Sequence, residues 1–329
     1  MFRKLKFGSV TAAATAIAIL GLFASAASAQ DSGASHGSLI FIGSWPSSDP
    51  YGAIVVNGFN AGLETFGYEG KYRSPEQLNF DAVEQARLID SAIAQNPDGI
   101  IVTDPTPEGL NEFIKKAADA GIPVVITNSG ETEVEATGAI TFVGNDERLT
   151  GVVGAQRLME LGAKNALVVT LTPGIPLVDA RNNGFTETFE GKATLAAVPP
   201  SDLSDTTKIK GVIEAALIKD PTIDAVFAIG STVIDPMLAV RADIGDQAKS
   251  IHWSSIDVTE SIAPGIANGE VDFAIDQQPY LQGFLPVQVL ALKLQYGLDP
   301  VTDHLLTGPI IVDRESIGQF EQFAKAGVR

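Results

Sequence analysis

The chain has 329 residues, with 22 Lys+Arg against 40 Asp+Glu, a net charge of −18, 45% hydrophobic residues and no cysteine. That length suits about two domains rather than one small core. The acidic balance, with no run of Lys or Arg, excludes the basic stripe that a phosphate backbone requires. The missing cysteines exclude disulfides, thiolate catalysis, Cys-ligated zinc, iron–sulfur clusters and S-linked lipid anchors. The three histidines, His36, His252 and His304, are too scattered for a local metal motif. No metal and no cofactor is therefore expected.

Residues 1–29 read as a leader. Arg3, Lys4 and Lys6 form a basic start, Val10 to Ala24 is apolar and small, and Ala27-Ser28-Ala29 has the small-x-small form of a cleavage site. Cleavage is expected after Ala29. The leader holds three basic and no acidic residues, so the mature chain would carry −21. With no Cys at the cleavage point to take a lipid, release into a periplasm is the expected destination. Residues 30–36 follow as a loose polar tail.

Short apolar runs then alternate with amphipathic stretches. Leu39–Ile42 reads as a strand buried on both faces, and Ile54–Phe66 as a helix placing Val55, Phe59, Leu63 and Phe66 on one side. Asp81–Gln95 has helical period, Gly99–Val102 is a strand, Glu108–Ala120 is a helix opened by Pro107, and Pro123–Ile126 is a strand. The pattern continues through a strand at Ile140–Val143, a helix at Glu147–Leu161, a strand at Ala166–Val169, a helix at Val178–Phe189 and a strand at Leu195–Val198. A helix at Thr206–Lys219 and strands at Ala225–Ala228, Ile251–Ser255 and Val271–Ile275 precede a long helix at Tyr280–Tyr296. Alternating βα units predict an α/β fold with doubly wound parallel sheets. Some ten strands would overfill one sheet, so two such domains are expected.

In open α/β sheets ligands bind beyond the carboxyl ends of the strands. The residues that follow the apolar runs are Trp45, Asp49 and Tyr51; Thr103 and Asp104; Asn128 and Ser129; Thr170 and Thr172; Ser231; Asp257; and Asp276, Gln277 and Gln278. Any one of them reads equally well as an N-cap of the next helix. Together, carboxylates, amides and aromatics with hardly a basic group suit a neutral, hydroxyl-rich ligand. Asp and Asn pair with vicinal hydroxyls, and an aromatic face covers the C–H side of a ring. Phosphate would call for a glycine-rich loop and a Lys, and neither G-x-G-x-x-G nor a P-loop occurs. Arg181 is the one basic candidate. It lies in the first turns of a helix, where the dipole disfavours a cation unless a partner or ligand needs it.

Signals of catalysis are poor. Gly33-Ala34-Ser35-His36-Gly37 matches G-x-S-x-G but lies in the tail, without the preceding strand that a nucleophile elbow requires. A carboxylate pair for glycoside hydrolysis can be drawn from Asp49, Asp104 and Asp257, which keeps an exported α/β sugar-processing enzyme as the alternative. No enzymatic activity is expected from the balance of these signals.

Asp49-Pro50-Tyr51 with Asn57-Gly58-Phe59, Pro97–Val102, Ala120–Val125, Arg181 with Gly184-Phe185, Ala225–Ala228, Ser255-Ile256-Asp257 and Asp272–Tyr280 carry a resemblance in their order and spacing. From Leu39 to about Val312 the chain resembles the type I periplasmic solute-binding proteins of sugar ABC transporters, the ribose-binding-protein-like group. The resemblance implies two similar domains joined by a three-strand hinge and closing on one monosaccharide or polyol. It implies a monomer whose partners are that ligand and an inner-membrane ABC permease with its ATPase, and no nucleic acid; a ligand-sensing module for a chemoreceptor is kept as an alternative. Its ligand-binding positions fall on Asp49, Tyr51, Asn128, Arg181, Asp257 and Gln277, beside the strand-end candidates Trp45, Asp104 and Ser231. It also implies crossings near Asn145, Gln277 and Thr307, dividing the chain into 37–145 with 278–307 and 146–277 with 308–329. Two departures stand out: Gly52 replaces a second aromatic, leaving space for Trp45 to fill, and Asn128-Ser129 replaces an acid followed by an arginine. The resemblance therefore does not by itself name ribose.

Overall fold

The computed structural model describes residues 35–78 and 80–328. The leader, its cleavage after Ala29, most of the tail and the first two residues of the G-x-S-x-G match lie outside the described residues. From Ser38 the elements run β1 (Ser38–Ile42), α1 (Pro50–Phe66), β2 (Glu69–Arg73), α2 (Ala82–Ala94), β3 (Gly99–Val102), α3 (Pro107–Asp119), β4 (Val124–Thr127), α4 (Val134–Thr137) and β5 (Phe142–Asn145). Next come α5 (Glu147–Glu160), β6 (Asn165–Thr170), α6 (Pro176–Thr188), β7 (Lys192–Ala197), α7 (Thr206–Lys219) and β8 (Ala225–Ala228). They are followed by α8 (Ile234–Asp243), β9 (His252–Ile256), α9 (Ala263–Asn268) and β10 (Phe273–Asp276). The chain ends with α10 (Pro279–Tyr296), β11 (His304–Gly308), β12 (Ile310–Asp313) and α11 (Glu321–Lys325).

These strands form two six-stranded sheets, ordered β11-β5-β4-β3-β1-β2 and β12-β10-β9-β8-β6-β7. Both are doubly wound α/β sheets, as the alternation of elements predicts. The chain passes between them after β5, after β10 and between β11 and β12. These three passages touch one another: a Cβ on Gly308 would lie 2.6 Å from Asn145 Oδ1 and 2.8 Å from the Asp276 carbonyl.

The sheets depart from full parallelism at one strand. β11 pairs parallel with β5, whereas β12 pairs antiparallel with β10. Only Pro309 separates the two strands, so the chain keeps its direction as it changes sheet. It runs with the first sheet toward the facing strand ends and then away from them in the second. A parallel pairing with β10 would need a crossover connection. Three strands, β2, β11 and β12, have no predicted counterpart because they are sheet edges with much of their surface exposed. Hydrophobic patterning detects strands buried on both faces, such as β3 and β6, and passes over such edges.

Two helix pairs hold the site. α1 packs on α10 through Gly58 and Gly283: a Cβ on either would lie 2.0 Å from a carbonyl oxygen, of Tyr280 and Val55 respectively. α5 packs on α6 through Gly151 and Gly184, where the corresponding distances are 2.1 Å, to the carbonyls of Arg181 and Arg148. Backbone meets backbone at both crossings, and residues one or two turns away are thereby brought side by side.

Candidate functional site

A cavity opens where the carboxyl ends of the two sheets face each other. About 50 Å³ of it is open to the centres of water molecules. Its walls include Trp45, Asp49, Tyr51, Asn128, Arg181, Ser231, Asp257 and Gln277, the ligand-binding positions named from the sequence apart from Asp104; the other strand-end residues, Thr103, Ser129, Thr170, Thr172, Asp276 and Gln278, do not line it. The first sheet delivers Trp45 and Asp49 after β1, Tyr51 at the start of α1, and Asn128 after β4. The second delivers Arg181 on α6, Ser231 after β8, Asp257 after β9 and Gln277 after β10.

On the first sheet's side, Asp49 caps α1, its Oδ1 accepting from the backbone N–H groups of Tyr51 and Gly52 at 2.9 and 3.1 Å. Burial pushes its carboxyl up, and those two hydrogen bonds oppose the shift. The N-cap reading and the ligand reading of this residue are thus compatible, since the cap uses one oxygen. Pro50 at the first helical position starts α1 a full turn before the predicted Ile54. The Tyr51 hydroxyl donates to Gln282 Oε1 at 2.5 Å and accepts from Asn128 Nδ2 at 2.8 Å. Trp45 stands over Tyr51 with ring centroids 4.9 Å apart, and the Tyr72 hydroxyl donates to its carbonyl at 2.6 Å. Gly52 lies close under the same loop, where a Cβ would lie 2.6 Å from the Pro46 carbonyl and 3.3 Å from Trp45 Cβ.

The second sheet's side is charged. Arg181 is buried and donates through Nε to Glu147 Oε2 at 2.5 Å and through Nη2 to Glu147 Oε1 at 3.0 Å. Nη1 donates to the Ile229 carbonyl at 3.0 Å and Nη2 to Gln277 Oε1 at 3.1 Å. Gln277 passes the connection on, its Nε2 donating to Asp257 Oδ1 at 2.7 Å, while Asp257 Oδ2 accepts from the Ser231 backbone N–H at 2.9 Å. One line of hydrogen bonds thus runs Glu147–Arg181–Gln277–Asp257–Ser231. Burial raises the Asp257 carboxyl to about 7 against the pull of Arg181 and Gln277. Burial also raises Glu147, with Arg181 opposing, and the Glu147 charge helps hold the guanidinium protonated.

Glu147 answers why an arginine occupies the first turns of α6. A bidentate carboxylate offsets the unfavourable helix dipole and takes two of the five guanidinium donors. The ligand is left with fewer Arg181 donors than a free fork would present. Among the polar groups of the site, Glu147 and Gln282 are ones that sequence reasoning missed. Glu147 follows the strand ending at Asn145, so extending the strand-end rule to β5 finds it. Gln282 lies inside α10 and carries no comparable signal.

Asp104 stands apart from the cavity walls. It is 1% exposed beside the Gly130 turn, and its carboxyl is raised to about 7, by burial first and then by the charge of Glu133. Strain marks three other strand ends. Asn128, Asp257 and Gln278 have φ of 63°, 81° and 54°, the left-handed region that non-glycine residues seldom adopt and that collects at functional sites. Gln278 and Gln282 also tie the crossings together, their Nε2 atoms donating to the Thr307 carbonyl at 2.7 Å and the Thr307 hydroxyl at 3.1 Å.

Comparison with known proteins identifies the family. The model of the periplasmic binding protein domain matches residues 40–298. The xylose/arabinose-binding protein XylF of Sulfolobus acidocaldarius is 27% identical over 228 residues, 65% of this chain and 56% of that protein. The D-ribose/D-allose-binding protein of Pseudomonas aeruginosa is 28% identical over 231 residues, 67% of this chain and 70% of that protein. Among solved structures, a carbohydrate transporter of Acidothermus cellulolyticus 11B, in complex with myo-inositol, aligns with a TM-score of 0.81 at 30% identity. That alignment covers 89% of this chain and 100% of the other. With the family model matching most of the chain, from β1 through α10, the chain belongs to the periplasmic binding protein domain family.

Proposed function

We propose that this protein is the periplasmic solute-binding component of an ABC importer, and that it captures one monosaccharide or cyclic polyol in the cavity between its two sheets. The observation that carries the reading is a small cavity walled from both sides by hydrogen-bonding groups and aromatics at strand ends. Relatives named for xylose, arabinose, ribose and allose, and a neighbour holding myo-inositol, support the same ligand class. Asp49, Asn128, Asp257 and Gln277 offer acceptors and amides to vicinal hydroxyls, and Trp45 and Tyr51 offer ring faces. Selectivity follows because a missing hydroxyl leaves one of these buried groups unpaired.

Residues 37–145 with 278–307 form one closing body in this reading, and 146–277 with 308–329 the other. Its crossings lie near Asn145, Gln277 and Thr307. A leader cleaved after Ala29 delivers the monomer to the periplasm, where the closed form meets the permease and its ATPase. No bond is made or broken. The test is a thermal-shift screen of residues 30–329 against pentoses, hexoses, deoxy sugars and inositols. A midpoint raised by one or two of them, and not raised in Arg181→Ala or Asp257→Ala, supports the reading. A folded protein that no member of the panel stabilises, or product formed from a sugar, sinks it.

A further inference from the structure

The cavity has two unlike faces. The hydrogen-bonded line from Arg181 through Gln277 to Asp257 is one continuous polar face. Opposed to it in character are Leu78, Phe80, Leu171, Leu177 and Val178, which line the same cavity. Leu78, Phe80 and Leu177 pack against the hydrophobic cluster of the second sheet that contains Leu171 and Val178. Leu78 further reaches the first sheet's cluster, which holds Trp45 and Tyr51. No side chain among these five can donate or accept a hydrogen bond. Any ring hydroxyl that pointed at these side chains would be left without a partner, and a buried polar group without a partner is costly.

We infer that the ligand carries an apolar substituent, a deoxy position ending in methyl or an O-methyl group, on the edge that meets Leu78, Phe80, Leu171 and Leu177. The inference rests on the sugar or polyol reading and narrows its ligand class. Hydroxyls on the opposite edge meet Asp257, Gln277 and the remaining Arg181 donor. The methyl group meets these apolar side chains, where one such group changes affinity by about tenfold.

Matched pairs of ligands test it by calorimetry on the mature chain: D-fucose against D-galactose, L-rhamnose against L-mannose, and D-pinitol against D-chiro-inositol. The expected result is that in at least one pair the methyl-bearing member binds about tenfold tighter. Leu177→Ser, a substitution at a half-buried position, is expected to reduce that ratio toward one, and Leu171→Thr provides a second reading of the same wall. Parent compounds that bind as tightly as their partners, or more tightly, overturn the inference and leave the broader sugar reading standing. A ratio that both variants leave unchanged also overturns the assignment of the wall. Absence of binding by every compound, in the pairs and in the wider screen, overturns both readings together.

Discussion

The α1–α10 and α5–α6 helix pairs use the same backbone device and opposite chemistry. Glycines bring each pair into backbone contact, and each contact seats a site side chain against a residue of the neighbouring helix. In the first, Tyr51 meets Gln282 and Asn128 through neutral hydrogen bonds. In the second, Arg181 meets Glu147 as a buried ion pair. Neutral partners tolerate the loss of one member, whereas a buried charge tolerates it poorly, because the survivor keeps its full desolvation penalty.

The sharpest way to break the comparison is Glu147→Ala, which leaves Arg181 buried without its carboxylate. A loss of about 3–5 kcal/mol in urea unfolding is expected. A loss below 1 kcal/mol would mean that the two seats are energetically alike. The next effect depends on pH. The Asp257 carboxyl sits at about 7 in the folded protein against roughly 3.9 in an unfolded chain. Below about pH 4 it is protonated in both states and costs nothing. As pH rises toward 7 the unfolded chain ionises first, so stability falls, and above that range the penalty is constant.

Asp257→Asn is therefore expected to remove part of the decline in ligand-free stability between pH 4 and 7, on the order of 4 kcal/mol. Asp104, raised to about 7 as well, adds a decline of the same sign. Asp104→Asn separates the two, and a melting profile that neither substitution changes would refute this account. Gly58→Ala and Gly151→Ala test the shared device: each forces a Cβ onto a carbonyl and is expected to cost about 1–3 kcal/mol, with similar values in the two pairs. Smallest is Tyr51→Phe, which removes one neutral hydroxyl from the first seat for about 1 kcal/mol. A cost equal to that of Glu147→Ala would erase the contrast.

Much of the site was legible because strand ends in α/β sheets point to one place. Asp49, Asn128, Ser231, Asp257 and Gln277 were found by that rule, and the structure brings them to one cavity. Asp104 obeys the same rule and lies outside the walls, since a strand end fixes where a residue starts and not where its side chain turns. Arg181 was visible as an unfavourable charge at a helix start, but its partner was not. Leu78 and Phe80 follow the edge strand β2, which has no apolar run to announce it, so their part of the apolar lining left no trace in the pattern.

The sequence by itself determined the alternation of elements, the buried central strands, the acidic and cysteine-free character and the residue types gathered at the strand ends. These follow from local periodicity and composition, which need no partner to be read. Tertiary structure alone decided that β11 and β12 join different sheets, that Glu147 takes two of the Arg181 donors, and that polar and apolar side chains line one cavity. Each of those depends on groups far apart in the chain whose meeting is set by packing, and no local pattern encodes a distance between them.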